Sequence, residues 1–155
     1  MVAPIFKFRN IKARLGTTDP TFVYGVVTNN PALPGTLEPD IDPIEISTVV
    51  LSVQVSNITG GTDFPEPSQT VNVSAYVIRS LNTGYTNFTT FRSQSRTLVY
   101  DYPLMSNNSF DPLGGNLVLS YDTTNGGDQL WVQTSVANSC DVVVSLLEIA
   151  NATAS

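Results

Sequence analysis

GDQLWVQTSVANSCDVVVSLLEI, residues Gly127 to Ile149, decides the fold. It reads as a C-terminal hairpin, two extended apolar segments around a turn at Ala137-Asn138-Ser139. In the first segment Leu130, Val132, Thr134 and Val136 share one face, and Trp131, Gln133 and Ser135 share the other. The second does not alternate: Val142, Val144 and Leu146 are apolar on one face, and Val143, Leu147 and Ile149 on the opposite one. A strand apolar on both faces is covered on both. In a chain of 155 residues the expected second cover is another subunit. The question then becomes what the protein assembles with.

Outward from that stretch the chain is strands and turns. Phe6 and Phe8, then Ile11, Ala13 and Leu15, alternate with basic residues, which predicts short extended segments with a register change near Asn10. Phe22 to Thr28 is a second strand. Ile44 to Ile58 is a long one. There Val49, Leu51, Val53 and Val55 share a face, while Ile44 and Ile46 fall on the other parity, placing a bulge near Ser47–Thr48. Gln69 to Arg79 follows, with Val71, Val73, Ala75 and Val77 inward. Tyr85 to Ser95 reads as a ragged strand or surface loop, and Arg96 to Met105 as a strand ending near Pro103. Leu117 to Tyr121 is joined by Asn125-Gly126-Gly127, a hairpin-type turn, to the final pair. Thr59-Gly60-Gly61 and Asn82-Thr83-Gly84 mark further turns. Between residues 29 and 43, Pro31, Pro34, Pro39 and Pro43 rule out a helix or central strand. Loops of that length are often functional or contact a partner. No segment keeps helical periodicity beyond about ten residues. The expected fold is a single all-β domain, an antiparallel β-sandwich or jelly roll of about eight strands over residues 17–155. A basic N-terminal arm or edge strand precedes it over residues 1–16.

Composition narrows the function. Hydrophobic residues make up 41% of the chain and charged residues only 13%, which argues against disorder. There is no histidine. Metal sites, proton shuttles and nucleophile-activating bases most often use that residue, so a non-enzymatic role without cofactor or metal is expected. The lone cysteine, Cys140, cannot form an internal disulfide and begins an apolar strand, so it reads as a buried, inert thiol. A reactive thiol would need a nearby base or cation. The N-terminus lacks the apolar run of a secretion signal, and no stretch is apolar enough to span a membrane. Five Asn-x-Ser/Thr sequons, at Asn57, Asn72, Asn87, Asn107 and Asn151, are expected by chance in a chain this rich in those residues. They are not expected to carry glycans.

Charge is unevenly placed. Lys7, Arg9, Lys12 and Arg14 are four of the seven basic residues and lie in a segment with no acid; the rest of the chain carries Arg79, Arg92 and Arg96 against thirteen acids, a net of −10. An acidic body without a broad basic face argues against nucleic-acid binding. The basic segment suits docking onto an acidic neighbour, including a copy of itself, or an edge strand guarded by Lys and Arg.

Carboxylates offer little chemistry. Glu38, Asp40, Asp42 and Glu45 crowd one loop, where oxygen ligands would suit calcium, although the spacing is not that of an EF-hand. A solvated acidic loop is the plainer reading, and a glycosidase pair would need a separation the sequence does not fix. Asp122 and Asp128 flank the Asn-Gly-Gly turn and are accounted for by turn chemistry. Trp131 and Tyr76 lie opposite the apolar faces of their strands. There they would form a subunit interface, a sugar-stacking platform with Tyr85, Phe88 or Tyr121, or a second core layer under the chain's own loops.

Val49-Val-Leu-Ser-Val-Gln-Val-Ser-Asn57, then a Val-rich strand, then Gly127-Asp-Gln-Leu-Trp-Val-Gln133 and Val142-Val-Val-Ser-Leu-Leu-Glu-Ile149 together resemble small all-β virion proteins of tailed bacteriophages, including those of marine bacteria and cyanobacteria. The likeness runs from about Ile46 to Ile149 and rests on the order of ordinary pieces and on the ending. It departs from the pattern at Tyr24-Gly-Val-Val with the proline loop, and at the aromatic insert Tyr85 to Phe91. The resemblance implies a non-enzymatic, multi-copy structural part of the virion, on the neck, tail or baseplate. Alternatives are a capsid decoration protein, or a host-glycan-binding module of a fibre or baseplate. Its partners would be copies of itself and other virion proteins, with neither nucleic acid nor membrane. The interface candidates are Lys7, Arg9, Lys12, Arg14, Tyr76, Trp131, Val143 and Leu147.

Overall fold

The computed structural model describes residues 5–25, 43–61, 67–80, 85–122 and 126–152. The described residues form nine strands: β1 (Ile5–Arg14), β2 (Thr21–Gly25), β3 (Pro43–Asn57), β4 (Val71–Ser80), β5 (Arg96–Leu104), β6 (Ser109–Phe110), β7 (Leu117–Asp122), β8 (Gly126–Thr134) and β9 (Cys140–Ala152). One short helix among the described residues, α1 (Phe88–Gln94), lies between β4 and β5. Every pairing is antiparallel, and the open sheet runs β1-β9-β3-β7-β8-β4-β5, with β2 on β8 and β6 on β3. The fold is all-β and sandwich-like.

β7 meets β8 only at Tyr121↔Gly127 and Asp122↔Gly126. Further along, β2 occupies that side of β8. The sheet therefore divides into a first half, β1-β9-β3-β7 with β6, and a second, β2-β8-β4-β5. Both contribute to one core. Ile11, Val50, Val53, Val55, Val142, Val144 and Leu146 come from the first half, and Val23, Val71, Val73, Ala75, Leu130 and Val132 from the second. Full burial of a Val or Leu side chain is worth about 1.5–3 kcal/mol. The β-branched residues also fit the pleat.

Four local expectations are corrected. The last two strands do not form a hairpin: β8 pairs with β4, β2 and β7, while β9 pairs with β1 and β3. Residues 135–139 thus carry the chain from one half of the sandwich to the other. β1 has no register change at Asn10, since its ladder to β9 is unbroken from Ile5↔Ala150 to Arg14↔Asp141. The bulges of β3 against β9 lie at Pro43/Glu45 and Val50/Ser52, not near Ser47–Thr48. Skipping Leu51 leaves Ile46, Thr48, Val50, Val53 and Val55 buried and Leu51 exposed. The segment Tyr85 to Ser95 is neither strand nor loop throughout, because it holds α1. The Asn87 side chain caps that helix by accepting from the Thr89 and Thr90 N–H groups, and Phe91 is buried beneath it. The proline loop up to Asp42, with Glu38 and Asp40, the turn at Asn82–Gly84 and Asn125 fall outside the described residues.

Candidate functional site

At one end of the first half-sheet the usual polarity of the two faces is inverted. On the inner face Glu148 follows Val142, Val144 and Leu146 in phase and is only 2% exposed. Arg9 Nη1 donates to Glu148 Oε1 at 3.0 Å, and Lys7 stands opposite Glu148 across the ladder. Glu148 Oε2 is buried with no hydrogen-bond partner among the described residues. Beside it the Tyr24 hydroxyl and Thr48 Oγ1 share a buried hydrogen bond of 2.7 Å. Burial, reinforced by the Glu148 charge, pushes the Tyr24 hydroxyl far above its ordinary pKa. A buried ion costs free energy even when paired.

The outer face of the same rows is apolar. Register aligns Phe8 with Leu147, Leu147 with Val49, and Val49 with Val118. Phe6 aligns with Ile149 in the next row. Phe6 is 64% exposed, Phe8 75% and Val118 62%. Four strands at about 4.8 Å spacing make a stripe roughly 15 Å across. Further along, the face turns polar. Ser145 Oγ donates to Asn10 Oδ1 at 2.7 Å, exposed Val143 stands between Lys12 and Gln54, and Arg14 Nε meets Asp141 Oδ1 at 2.8 Å.

The candidate interface residues are thereby sorted. Leu147 belongs to the apolar stripe, and Val143 shares its face. Lys7 and Arg9 lie on the inner parity of β1, while Lys12 and Arg14 lie on the outer. The basic segment is an edge strand zipped to the chain's own β9, and Arg9 and Arg14 engage the chain's own Glu148 and Asp141. Phe6, Phe8, Val49, Val118 and Glu148 were not singled out from sequence. For Glu148 the signal was there, because it keeps the parity of the core residues before it.

Tyr76 and Trp131 are corrected. They are 1% and 2% exposed, held with Ile78 and Phe91 in a second apolar layer between α1 and the outer face of β4 and β8. Phe91 lies 4.9 Å from Trp131 between ring centroids, and Tyr85 packs edge-on to both. Trp131 Nε1 donates to Gln129 Oε1 at 3.0 Å, and Tyr76 OH to Gln133 Oε1 at 2.9 Å. Neither ring is available to a partner or a sugar, and Tyr121 is buried as well. The strand covered on both faces by its own chain is β8; among the described residues no element covers the outer face of β9.

Other singled-out residues have structural roles. Asn57 is buried, its Nδ2 donating to the carbonyls of Gln69 and Leu104, both at 2.8 Å, and its Oδ1 accepting from Thr59 N–H and Oγ1. Both amide hydrogens are committed, so this sequon cannot carry a glycan. Asn87 is the helix cap, and Asn107 takes a left-handed turn conformation. Asp128 receives Arg79 and the Ser120 N–H. Cys140 is buried, and burial raises its thiol pKa despite hydrogen bonds to Ser139 and Thr134. The described residues hold no cluster of three or more metal-capable side chains. No protein-family model matches the chain, nor does any curated protein.

Proposed function

We propose that this chain is a non-enzymatic structural component of a virion of the tailed-phage type, assembled in multiple copies on the neck, tail or baseplate. The observation that carries the assembly is the inverted end of the first half-sheet. Glu148, Arg9 and Thr48 occupy core-side positions there, while Phe6, Phe8, Leu147, Ile149, Val49 and Val118 face outward. A sequence under no demand for cover on that face would be expected to place these residue types the other way round. The virion setting is supported by the resemblance of the Val49–Asn57 and Gly127–Ile149 segments.

The occupant of the face is a second copy of this chain. Over three strands about ten residues long plus β7, the face measures roughly 15 by 30 Å. That footprint, about 450 Å2, is below the about 800 Å2 per partner of a standard interface, so a single contact is weak and repetition over multiple copies raises the total strength. Stacking two such faces about a two-fold axis buries apolar rows on apolar rows at the about 10 Å spacing of packed sheets. Pairing through the β1 edges instead is disfavoured by the Lys and Arg side chains along β1, the residue types that guard an edge strand against pairing. Each chain carries −6 overall, so association must come from apolar area and should strengthen as salt screens the bodies.

Sedimentation of the purified protein across concentration and salt tests this. The expected result is an oligomer that tightens with salt and becomes monomeric in the Phe8→Ser, Val118→Ser double variant at unchanged melting temperature. A wild-type monomer at every concentration, or an equally oligomeric variant, would overturn it.

A further inference from the structure

α1 covers only part of the outer face of the second half-sheet. Beside it the remainder forms an open cleft of about 230 Å3. Its walls are Arg92 on α1, Tyr100 and Asp101 on β5, Asn72 and Ser74 on β4, Gln133 and Thr134 at the end of β8 with Ser135 just after it, and Thr18 before β2. The cleft is shaped by an irregularity in the sheet. Val73 pairs with Tyr102 and Ala75 with Val99, so Tyr100 and Asp101 together oppose the single residue Ser74. Asp101 has φ +50°, left-handed backbone in the middle of a strand. Its N–H is held by Ser74 Oγ at 3.0 Å. Bulges re-aim side chains, and left-handed non-glycine backbone persists where its surroundings fix it.

The fold leaves part of the polar capacity of these groups unused, with the Arg92 guanidinium engaged by Tyr100 and in the field of Asp101. The Asp101 carboxylate and the Asn72 side-chain amide make no hydrogen bond among the described residues. Ser74 Oγ and Ser135 Oγ each accept from a backbone N–H, at 3.0 Å from Asp101 and 2.9 Å from Asn72, and keep their own protons to donate. Tyr100 is exposed, with the Arg92 guanidinium 5.1 Å from its ring centroid. One carboxylate and one guanidinium balance in charge, so the cleft selects neither an anion nor a cation. A lone carboxylate is too few oxygen ligands for a metal. An acceptor, an amide, two hydroxyl donors and an aromatic ring around a small open volume suit a ligand with adjacent hydroxyls and an apolar C–H face.

We propose that this cleft binds one residue of a neutral saccharide. Asp101 and Asn72 would take paired hydroxyls and Tyr100 would pack on the ring. The site is independent of the assembly face, which lies on the other half of the sandwich.

The test is a two-dimensional NMR titration of the full chain with methyl glycosides of glucose, galactose, mannose and N-acetylglucosamine. Glucuronate and inorganic phosphate serve as anionic comparisons. The expected result is saturable shifts at the amides of Asn72, Asp101 and Ser135 with at least one neutral glycoside, with a Kd of about 1 mM, a typical weak single-residue contact. Asp101→Asn keeps a side chain that tolerates left-handed backbone, and should lose at least about tenfold, the worth of one charge-assisted hydrogen bond. Asn72→Ala and Tyr100→Ala change exposed side chains and should weaken binding with the remaining spectrum intact. No shift with any neutral glycoside, shifts away from the cleft, affinity unmoved in all three variants, or a stronger response to glucuronate or phosphate would each overturn the proposal.

Discussion

Glu148 and Arg9 form a buried ion pair whose two halves should respond differently to substitution. Arg9→Ala leaves a carboxylate inside the sandwich with one oxygen already unpartnered, and stranding a buried charge costs about 3–5 kcal/mol. Lys7, opposite Glu148, sets the lower end of that range. Glu148→Gln removes the charge along with its partner's role and should cost clearly less. Urea midpoints at constant m-value check this; equal losses in the two variants would reject the buried-ion account. Tyr24 gives a pH dependence of definite sign. Burial and then the Glu148 charge raise its folded pKa, and burial raises that of Cys140. The folded chain therefore keeps protons that the unfolded chain releases above about pH 8.5 for a thiol and about pH 10 for a phenol. The stability contributed is complete below those values and is lost as pH rises past them, by up to about 1.4 kcal/mol per pH unit for each group. Denaturant melts from pH 7 to 11 should decline on that schedule. Native Cys140 should also resist a disulfide-exchange reagent at pH 8 and react once the chain is unfolded.

At the scale of elements, α1 was the least legible. Phe88-Thr-Thr-Phe-Arg-Ser-Gln94 is rich in residues that favour strands, and seven residues are too few to establish a period. The surviving signals were the Asn87 cap and the three-residue spacing of Phe88 and Phe91. Asn87→Ala should cost about 1 kcal/mol as a lost cap, and Phe91→Ala about 3–5 kcal/mol as a cavity in the second apolar layer. Trp131 reports on both. Its emission should shift to longer wavelength in Phe91→Ala as water reaches the ring, and stay in place in Asn87→Ala. β8 was legible because strict alternation with Trp131 and Gln133 opposite Leu130 and Val132 demands two different environments. Its pairing was not. A turn at Ala137-Asn138-Ser139, with Asn138 at φ +59°, serves a hairpin or a crossing between half-sheets equally well. Only the non-local ladders to β4 and to β3 decide between them.

For the whole molecule, the all-β antiparallel class followed from many short apolar runs between turn residues. The inverted end did not, because it depends on which parity of β1 meets which parity of β9. Phe6 and Phe8 look like core and Lys7 and Arg9 like surface until the unbroken ladder fixes Ile11 and Leu15 inward, which forces Phe6 and Phe8 out. The same ladder changes what removing the N-terminus should do. A detachable arm would leave a folded body. Here deletion of residues 1–15 strips a ten-residue ladder from β9 and removes Ile11 and Leu15 from the core. Those two side chains alone are worth about 3–6 kcal/mol, against a total stability of about 5–15 kcal/mol for a typical domain. The deletion also leaves Glu148 without Arg9. The truncated chain should lose cooperative melting and near-ultraviolet circular dichroism even as an isolated monomer. Removing only the outward side chains, Phe6→Ser with Phe8→Ser, should spare the fold and lower self-association alone. A truncated chain that melts cooperatively near the wild-type temperature would mean that β1 contributes little to the sandwich. The basic edge strand would then again be available to a neighbour.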